Sequence, residues 1–186
     1  MDRARAVRIS KLLGLGLRHD PARLRLVLDR AGWADVDAVL RGLASLGEPL
    51  DLDELEAIVV GMEKRRYAFS ADGTRIRASQ GHSVDVELGL APTEPPDLLF
   101  HGTVERFLES ILSAGILRGA RTHVHLSVDV QTARIVASRR RGAHVILSVR
   151  ARAMHAAGSS FFLSENGVWL TEHVPPSFVD VYGRAR

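Results

Sequence analysis

The chain has 186 residues, 46% hydrophobic and 25% charged, with no cysteine and a formal net charge of +3. That length allows one large domain or two small ones, and the apolar share suffices for a core, which excludes an intrinsically disordered chain. Lack of cysteine excludes a disulfide framework, a zinc ribbon and a thiolate nucleophile. No apolar run approaches the roughly 20 residues of a membrane span. The start MDRARAVRIS has no signal-peptide stretch, so a cytoplasmic globular protein is expected.

Along the chain, Ala4, Val7, Ile9, Leu12, Leu13 and Leu17 recur near helical spacing. Gly14 and Gly16 weaken that helix by about 1 kcal/mol each, so packing must hold its second half. Leu24, Leu26 and Leu28 alternate as in a short strand that ends before Gly32. Asp35 is placed to cap a helix carrying Val36, Val39, Leu40 and Leu43, which stops at Gly47. Asp51 and Glu54 form a capping box for a helix that buries Leu52, Leu55, Ile58, Val59 and Met62. Two strands, 66–70 and 74–78, flank the turn Ala71-Asp72-Gly73. Helices followed by a hairpin with basic strands describe a winged helix, a nucleic-acid-binding module.

Residues 90–97 hold three prolines and read as an extended linker. Beyond it the pattern alternates: strand 98–101, helix 104–114, strand 124–127, helix 130–139, strand 145–149. A hairpin, 160–163 with 168–171, turns at Asn166-Gly167, and 178–182 is a last strand. Neither repeats nor low-complexity tracts occur.

Of the 25 basic residues, 23 are arginine, and only Lys11 and Lys64 are lysine. The net charge is +5 within residues 1–25, +4 within 64–77 and +7 within 118–152, against −13 for all the rest. Three basic patches in an acidic body fit a polyanion, and three solvated faces are the plainer explanation. Guanidinium suits the bidentate grip on phosphate.

Four strings could carry chemistry. Leu17-Arg18-His19-Asp20-Pro21 closes the first helix, where dipole and capping account for it. Ile76-Arg77-Ala78-Ser79-Gln80-Gly81-His82-Ser83 leaves the hairpin for a polar loop of the kind that carries function. Phe100-His101-Gly102-Thr103 joins a strand to a helix start, whose free N–H groups favour an anion; a threonine cap is the simpler account. In Arg121-Thr122-His123-Val124-His125-Leu126-Ser127, alternation turns Arg121, His123 and His125 to one face of a strand. No acidic residue or cysteine nearby completes a metal site with these histidines, and none is expected. Arg139-Arg140-Arg141 reads as a solvated helix end.

These strings together resemble the NAD-dependent RNA 2′-phosphotransferase family, which removes the 2′-phosphate left at a tRNA splice junction. Ile9-Ser10-Lys11, Leu17-Arg18-His19, Gly32-Trp33, residues 76–83, Pro95-Pro96, Phe100-His101-Gly102-Thr103 and His123-Val124-His125-Leu126-Ser127 carry the resemblance, from about residue 8 to residue 182. Phe100 stands where tyrosine is common, and the glycines at 14 and 16 also depart from the pattern.

The resemblance implies an α+β fold of two lobes. Residues 1–88 would be a winged-helix RNA-binding lobe, 89–97 the linker, and 98–186 a lobe like the ADP-ribosyltransferases with a split β-sheet that binds NAD. It implies Arg18, His19, Arg77 and Arg121 as the catalytic set, with Arg118 the competitor for the fourth place. His82, Ser83, His101, Gly102, Thr103, Ser127 and Val168 would line the NAD pocket.

The implied reaction has two steps, through ADP-ribosylated RNA to 2′-OH RNA, nicotinamide and ADP-ribose 1″,2″-cyclic phosphate. The partners would be 2′-phosphate RNA and NAD, consumed as a co-substrate, with the protein acting as a monomer and without metal or membrane. Two other readings stand beside it: a transferase that leaves ADP-ribose on a nucleic-acid terminal phosphate or a protein, and a non-enzymatic winged-helix regulator.

Overall fold

The structure, a computed structural model, describes residues 2–61 and 65–185. Met62 and Lys64, named above for a helix face and a basic patch, lie outside them. The chain divides between Gly89 and Leu90 into two compact units.

In the first unit Asp2 caps helix α1, Arg3–Arg18, its side chain accepting from the Ala4 N–H. Ile9, Leu13 and Leu17 form its fully buried stripe. The two glycines fall where neighbours approach closest. A Cβ on Gly16 would lie 2.4 Å from Leu24 Cδ1, and one on Gly14 3.1 Å from the Tyr67 hydroxyl. Helix propensity is thus given up to bring two partners against the helix backbone.

The run 24–28 is not a strand. Asp20 caps a 3₁₀ turn, Pro21–Leu24, and Arg25 follows at φ 54°. Leu24 and Leu26 are buried and Val27 is exposed, so the alternation is real, but it comes from packing on α1 rather than from a ladder.

Helix α2, Val36–Ser45, starts on the Asp35 carboxylate, which accepts from the Ala38 N–H at 2.8 Å. Helix α3, Leu52–Val60, starts on the full Asp51–Glu54 capping box. Leu55, Ile58 and Val59 are buried as expected, whereas Leu52, in the first turn, is 41% exposed. Strands β1 (Ala34–Asp35), β2 (Tyr67–Phe69) and β3 (Arg75–Ala78) form an antiparallel sheet in the order β1-β3-β2. Strand β1 is two residues long, too short for any periodicity to announce it.

In the second unit the proline-rich segment is held by pairing: Pro92 bridges to Phe162, and the Thr93 N–H donates to Phe161 O at 2.8 Å. Strand β4 runs Leu99–Val104, so Gly102 and Thr103 sit inside a strand rather than at a helix start. A 3₁₀ turn, Glu105–Phe107, precedes helix α4, Leu108–Ala114. The reason is tertiary. Strand β7, His144–Val149, pairs with β4 as far as Val104, and helix α5, Val130–Ala137, lies so close that a Cβ on Gly102 would stand 2.0 Å from Ala133 O. Gly102 and Thr103 therefore present no helix N-terminus to an anion.

Strands β5 (Ile116–Leu117), β6 (Val124–Leu126), β8 (Phe161–Leu163), β9 (Trp169–Thr171), β10 (His173–Val174) and β11 (Val179–Ala185) complete the unit, with helix α6 (Ala151–Ala156). One three-stranded sheet has the order β11-β7-β4 and another β6-β9-β8, and all pairs are antiparallel. The sheets meet where Phe100 and Ser127 exchange two hydrogen bonds of 2.8 Å. Leu99, Leu126, Leu147, Val149 and Phe161 centre the core. The β8–β9 hairpin turns at Gly167, φ 77°. The architecture is thus a mixture of helices and small antiparallel sheets. Among the described residues no helix is long and apolar enough to cross a membrane.

Gly42 in α2 offers a test of close packing. A Cβ there would lie 2.4 Å from the backbone Leu24 O, whereas one on Gly183 meets nothing within 4 Å. Gly42→Ala is expected to destabilise the protein by about 1–3 kcal/mol in urea unfolding, and Gly183→Ala by much less; equal effects would contradict this packing.

Candidate functional site

The first cluster forms where α1 ends. The His19 N–H closes the helix on Leu15 O at 2.9 Å, as a capping residue should. The loop after β3 then folds back on the same end: Ser83 N–H donates to Arg18 O at 2.8 Å, and His19 Nδ1 lies 2.9 Å from Ser83 Oγ. This contact, between residues 64 apart, unites two of the sequence strings. The Arg18 guanidinium donates to Arg66 O at 3.1 Å and lies 5.4 Å from the Tyr67 ring centre. Tyr67 in turn donates to Ser10 O at 2.7 Å. Lys11, Gly14, Arg18, His19, Arg66 and Tyr67 line a shallow groove along α1.

Arg77, on β3, is half-buried; its Nη1 donates to Leu88 O at 3.3 Å and its Cζ stands 4.5 Å from the Trp33 ring centre. His82 is fully buried beside these cations, and neither ring nitrogen has a hydrogen-bond partner among the described residues. Burial first, then the charges of Arg18, His19 and Arg77, push its imidazole down to about 4. The first cluster therefore combines Arg18, His19 and Arg77 with His82 and Ser83, around a histidine that is neutral at neutral pH.

The second cluster lies in the other unit, along the seam between its two sheets. His101 Nδ1–H donates to His125 O at 3.1 Å, and Arg121 Nη1 donates to His125 Nδ1 at 3.3 Å. Burial holds the His101 imidazole below its usual value, with Arg140 and Arg121 adding to the effect. The ring is then neutral with its proton on Nδ1, and Nε2 is an acceptor. Partial burial, then Arg140 and Arg139, lower the Arg121 guanidinium from its ordinary value.

Strand β6 begins only at Val124, so Arg121 reaches His125 through a bend and not by strand alternation. His123 lies outside the strand: its Nδ1 is 3.1 Å from Thr122 Oγ1 and its ring packs edge-on, at 5.7 Å, against Phe162, a residue in register with His125 across Leu170. Arg118 donates to Thr122 O at 3.4 Å, and Arg121 is the arginine that meets the histidine pair. Ser127 lies just past the last β6–β9 pair, Leu126↔Trp169, and Val168 just before it, so both stand at the end of the sheet beside Phe100. Thr103 is buried in β4 opposite Val145.

Trp33, Arg66, Tyr67 and Arg140 had not been singled out as side chains bearing on these clusters. Of these, Trp33 is the one within a string that carries the family resemblance, Gly32-Trp33. The others join through contacts that no local pattern encodes. Among the described residues no group of three or more His, Asp or Glu is placed to hold a metal ion.

His82 makes an acid-sensitivity prediction. An unfolded histidine takes its proton near pH 6.5, whereas the folded one resists until about 4. The unfolded state therefore binds the proton first, and stability falls as pH drops from about 6.5 toward 4, by on the order of 3 kcal/mol. The Tm of His82→Gln is expected to fall less than that of the wild type between those pH values. Parallel curves would show that His82 does not carry the effect.

The sequence matches the family described as RNA 2′-phosphotransferase, Tpt1 / KptA family, over residues 4–173. A protein of Flavobacterium johnsoniae named probable RNA 2′-phosphotransferase is 50% identical over 172 residues, 92% of this chain and 94% of its own. Proteins of the same name from Trichormus variabilis and Pseudomonas aeruginosa are 48% and 49% identical, each over 96% of this chain and 98% of their own. With a match across nearly its whole length, and with Arg18, His19 and Ser83 gathered in one unit and Arg121, His101 and Ser127 in the other, the chain belongs to the RNA 2′-phosphotransferase family.

Proposed function

We propose that this protein removes an internal RNA 2′-phosphate with NAD as co-substrate, through an ADP-ribosylated RNA intermediate. The observation that carries the reading is the first cluster. There Arg18 and Arg77 are placed by carbonyls and aromatic rings beside a neutral buried histidine, which gathers guanidiniums of the kind that grip a phosphate dianion. On this reading the first unit is a winged-helix RNA lobe, its wing the β2–β3 hairpin. The second is the lobe like the ADP-ribosyltransferases, its split sheet being the two sheets that meet at Phe100 and Ser127.

The residues of the second cluster suit NAD chemically. Phe100 sends both its N–H and C=O to Ser127, so strand alternation puts the N–H and C=O of Gly102 on that same edge. A donor and an acceptor side by side match a primary carboxamide such as that of nicotinamide. His101 Nε2, an acceptor, matches a ribose hydroxyl. Thr103, Ser127 and Val168 shape the remainder. NAD supplies an activated anomeric carbon with nicotinamide as its leaving group.

In the first step an oxygen of the RNA 2′-phosphate, held by Arg18 and His19, bonds to that carbon as its bond to nitrogen breaks, and the electron pair leaves with nicotinamide. A phosphate dianion is already nucleophilic, so positioning dominates this step. In the second step the adjacent ribose hydroxyl bonds to phosphorus and loses its proton. The bond from phosphorus to the RNA 2′-oxygen breaks, and that oxygen gains a proton, for which His19 is the donor. Arg77 and Arg121 neutralise the charge that builds on phosphorus. The products are 2′-OH RNA and ADP-ribose 1″,2″-cyclic phosphate. The contact of Arg121, rather than Arg118, with His125 supports Arg121 in this role.

The test mixes protein, NAD and an oligonucleotide with one internal 2′-phosphate. Nicotinamide, dephosphorylated RNA and cyclic phosphate are expected in equal amounts, whereas RNA that stops at the ADP-ribosylated stage would favour the transferase alternative. No NAD consumption would leave only the non-enzymatic reading. Arg77→Ala and Arg121→Ala are expected to accumulate ADP-ribosylated RNA, with cyclic-phosphate release slowed by a factor of about 100 or more; unchanged turnover in both would remove their role.

A further inference from the structure

We propose that Trp33 is a positioning residue for Arg77: its indole face orients the guanidinium and takes none of its N–H donors. The catalytic consequence rests on the role proposed for Arg77 above. The positioning itself rests on geometry within the first unit.

Among its contacts, Arg77 donates to Leu88 O at 3.3 Å and has the Trp33 ring centre 4.5 Å from its Cζ. Trp33 in turn is fixed by a closed turn. The Asp29 carboxylate accepts from the N–H groups of Ala31 and Trp33, both at 2.9 Å, and the Asp29 N–H donates to Trp33 O at 2.9 Å. Gly32 supplies the turn with φ +80°, and its N–H donates to Asp29 O at 2.9 Å. His82 lies against this turn, its Nε2 3.4 Å from where a Gly32 Cβ would be. The pairs Ala34↔Ile76 and Asp35↔Arg75 in the β1–β3 register then bring Trp33 beside Arg77.

Arg75 also approaches the indole, at 5.7 Å, but it turns to Asp29 and forms an ion pair of 3.3 Å. The two guanidiniums beside one ring are thus separated in task, one holding the turn and the other held by it. Chemistry gives a reason for an aromatic holder. A carboxylate would fix Arg77 but compete with phosphate for its N–H groups. An indole attracts the cation through its face and takes none of those donors. Tryptophan offers the strongest such face, and here the ring is half-buried.

Two measurements test this, one without turnover. In the free protein the Arg77 Nε–Hε NMR signal, identified by its loss in Arg77→Lys, should be displaced by the indole ring current. The displacement should vanish in Trp33→Leu and persist in part in Trp33→Phe. An Arg77 signal unchanged in Trp33→Leu overturns the proposal. Should Trp33→Leu fail to fold, the converse decides. The chain has two tryptophans, so in Trp169→Phe the emission of Trp33 should shift on Arg77→Leu, and an unshifted spectrum overturns the proposal.

In turnover, Trp33→Leu should slow cyclic-phosphate formation about tenfold, the size of a partly desolvated cation–π contact, and accumulate ADP-ribosylated RNA. Nicotinamide release should stay within about twofold, and Trp33→Phe should recover most of the loss. Equal slowing of both steps without recovery in Trp33→Phe would indicate a structural role and overturn the proposal. A wild-type protein that consumes no NAD would refute the catalytic reading, and the NMR comparison would still decide the positioning.

Discussion

Gathering several cations close together is the constraint on which the first unit depends. Guanidiniums packed near one another repel, so each has to be held in place by its surroundings. Carbonyl oxygens and ring faces are among the holders: Arg66 O and Tyr67 for Arg18, Leu88 O and Trp33 for Arg77. Other arginines of the unit pair with carboxylates, Arg5 and Arg8 with Glu48, Arg30 with Glu87 and Arg75 with Asp29. The buried neutral His82 belongs to the same solution, because a second buried cation there would add to the repulsion.

Such holders require backbone and rings to come close, which explains where small residues stand. Gly14 lets the Tyr67 hydroxyl reach α1, Gly16 lets Leu24 pack on it, and Gly102 lets α5 lie on β4. In each case the secondary structure tolerates a weak residue because a tertiary contact occupies the space a side chain would have filled. The second unit uses the same economy at its seam, where one pair of residues, Phe100 and Ser127, joins two sheets and brings His101 to His125.

Much of the local structure was legible because it is encoded by neighbours in sequence. Asp35, and Asp51 with Glu54, cap the helices they were expected to cap, and the hairpins at Gly73 and Gly167 form where their turns were read. Failures came where a distant partner outweighed the local pattern. The alternating leucines 24–28 pack on α1 without a sheet, and Gly102 and Thr103 stay in a strand because β7 pairs with them. Strand β1 was invisible because two residues carry no period.

Sequence alone determined which chemistry the chain carries: arginine nearly to the exclusion of lysine, histidines beside arginines in ordered strings, and no thiol. Residue type and order suffice for that, since guanidinium and imidazole have their properties wherever they stand. Tertiary structure decided which of them meet. Ser83 reaches His19 across 64 residues, Trp33 reaches Arg77 across a sheet, and Arg121 rather than Arg118 meets the histidine pair. Those meetings depend on sheet register and close packing, which are properties of distant segments together and of no segment by itself.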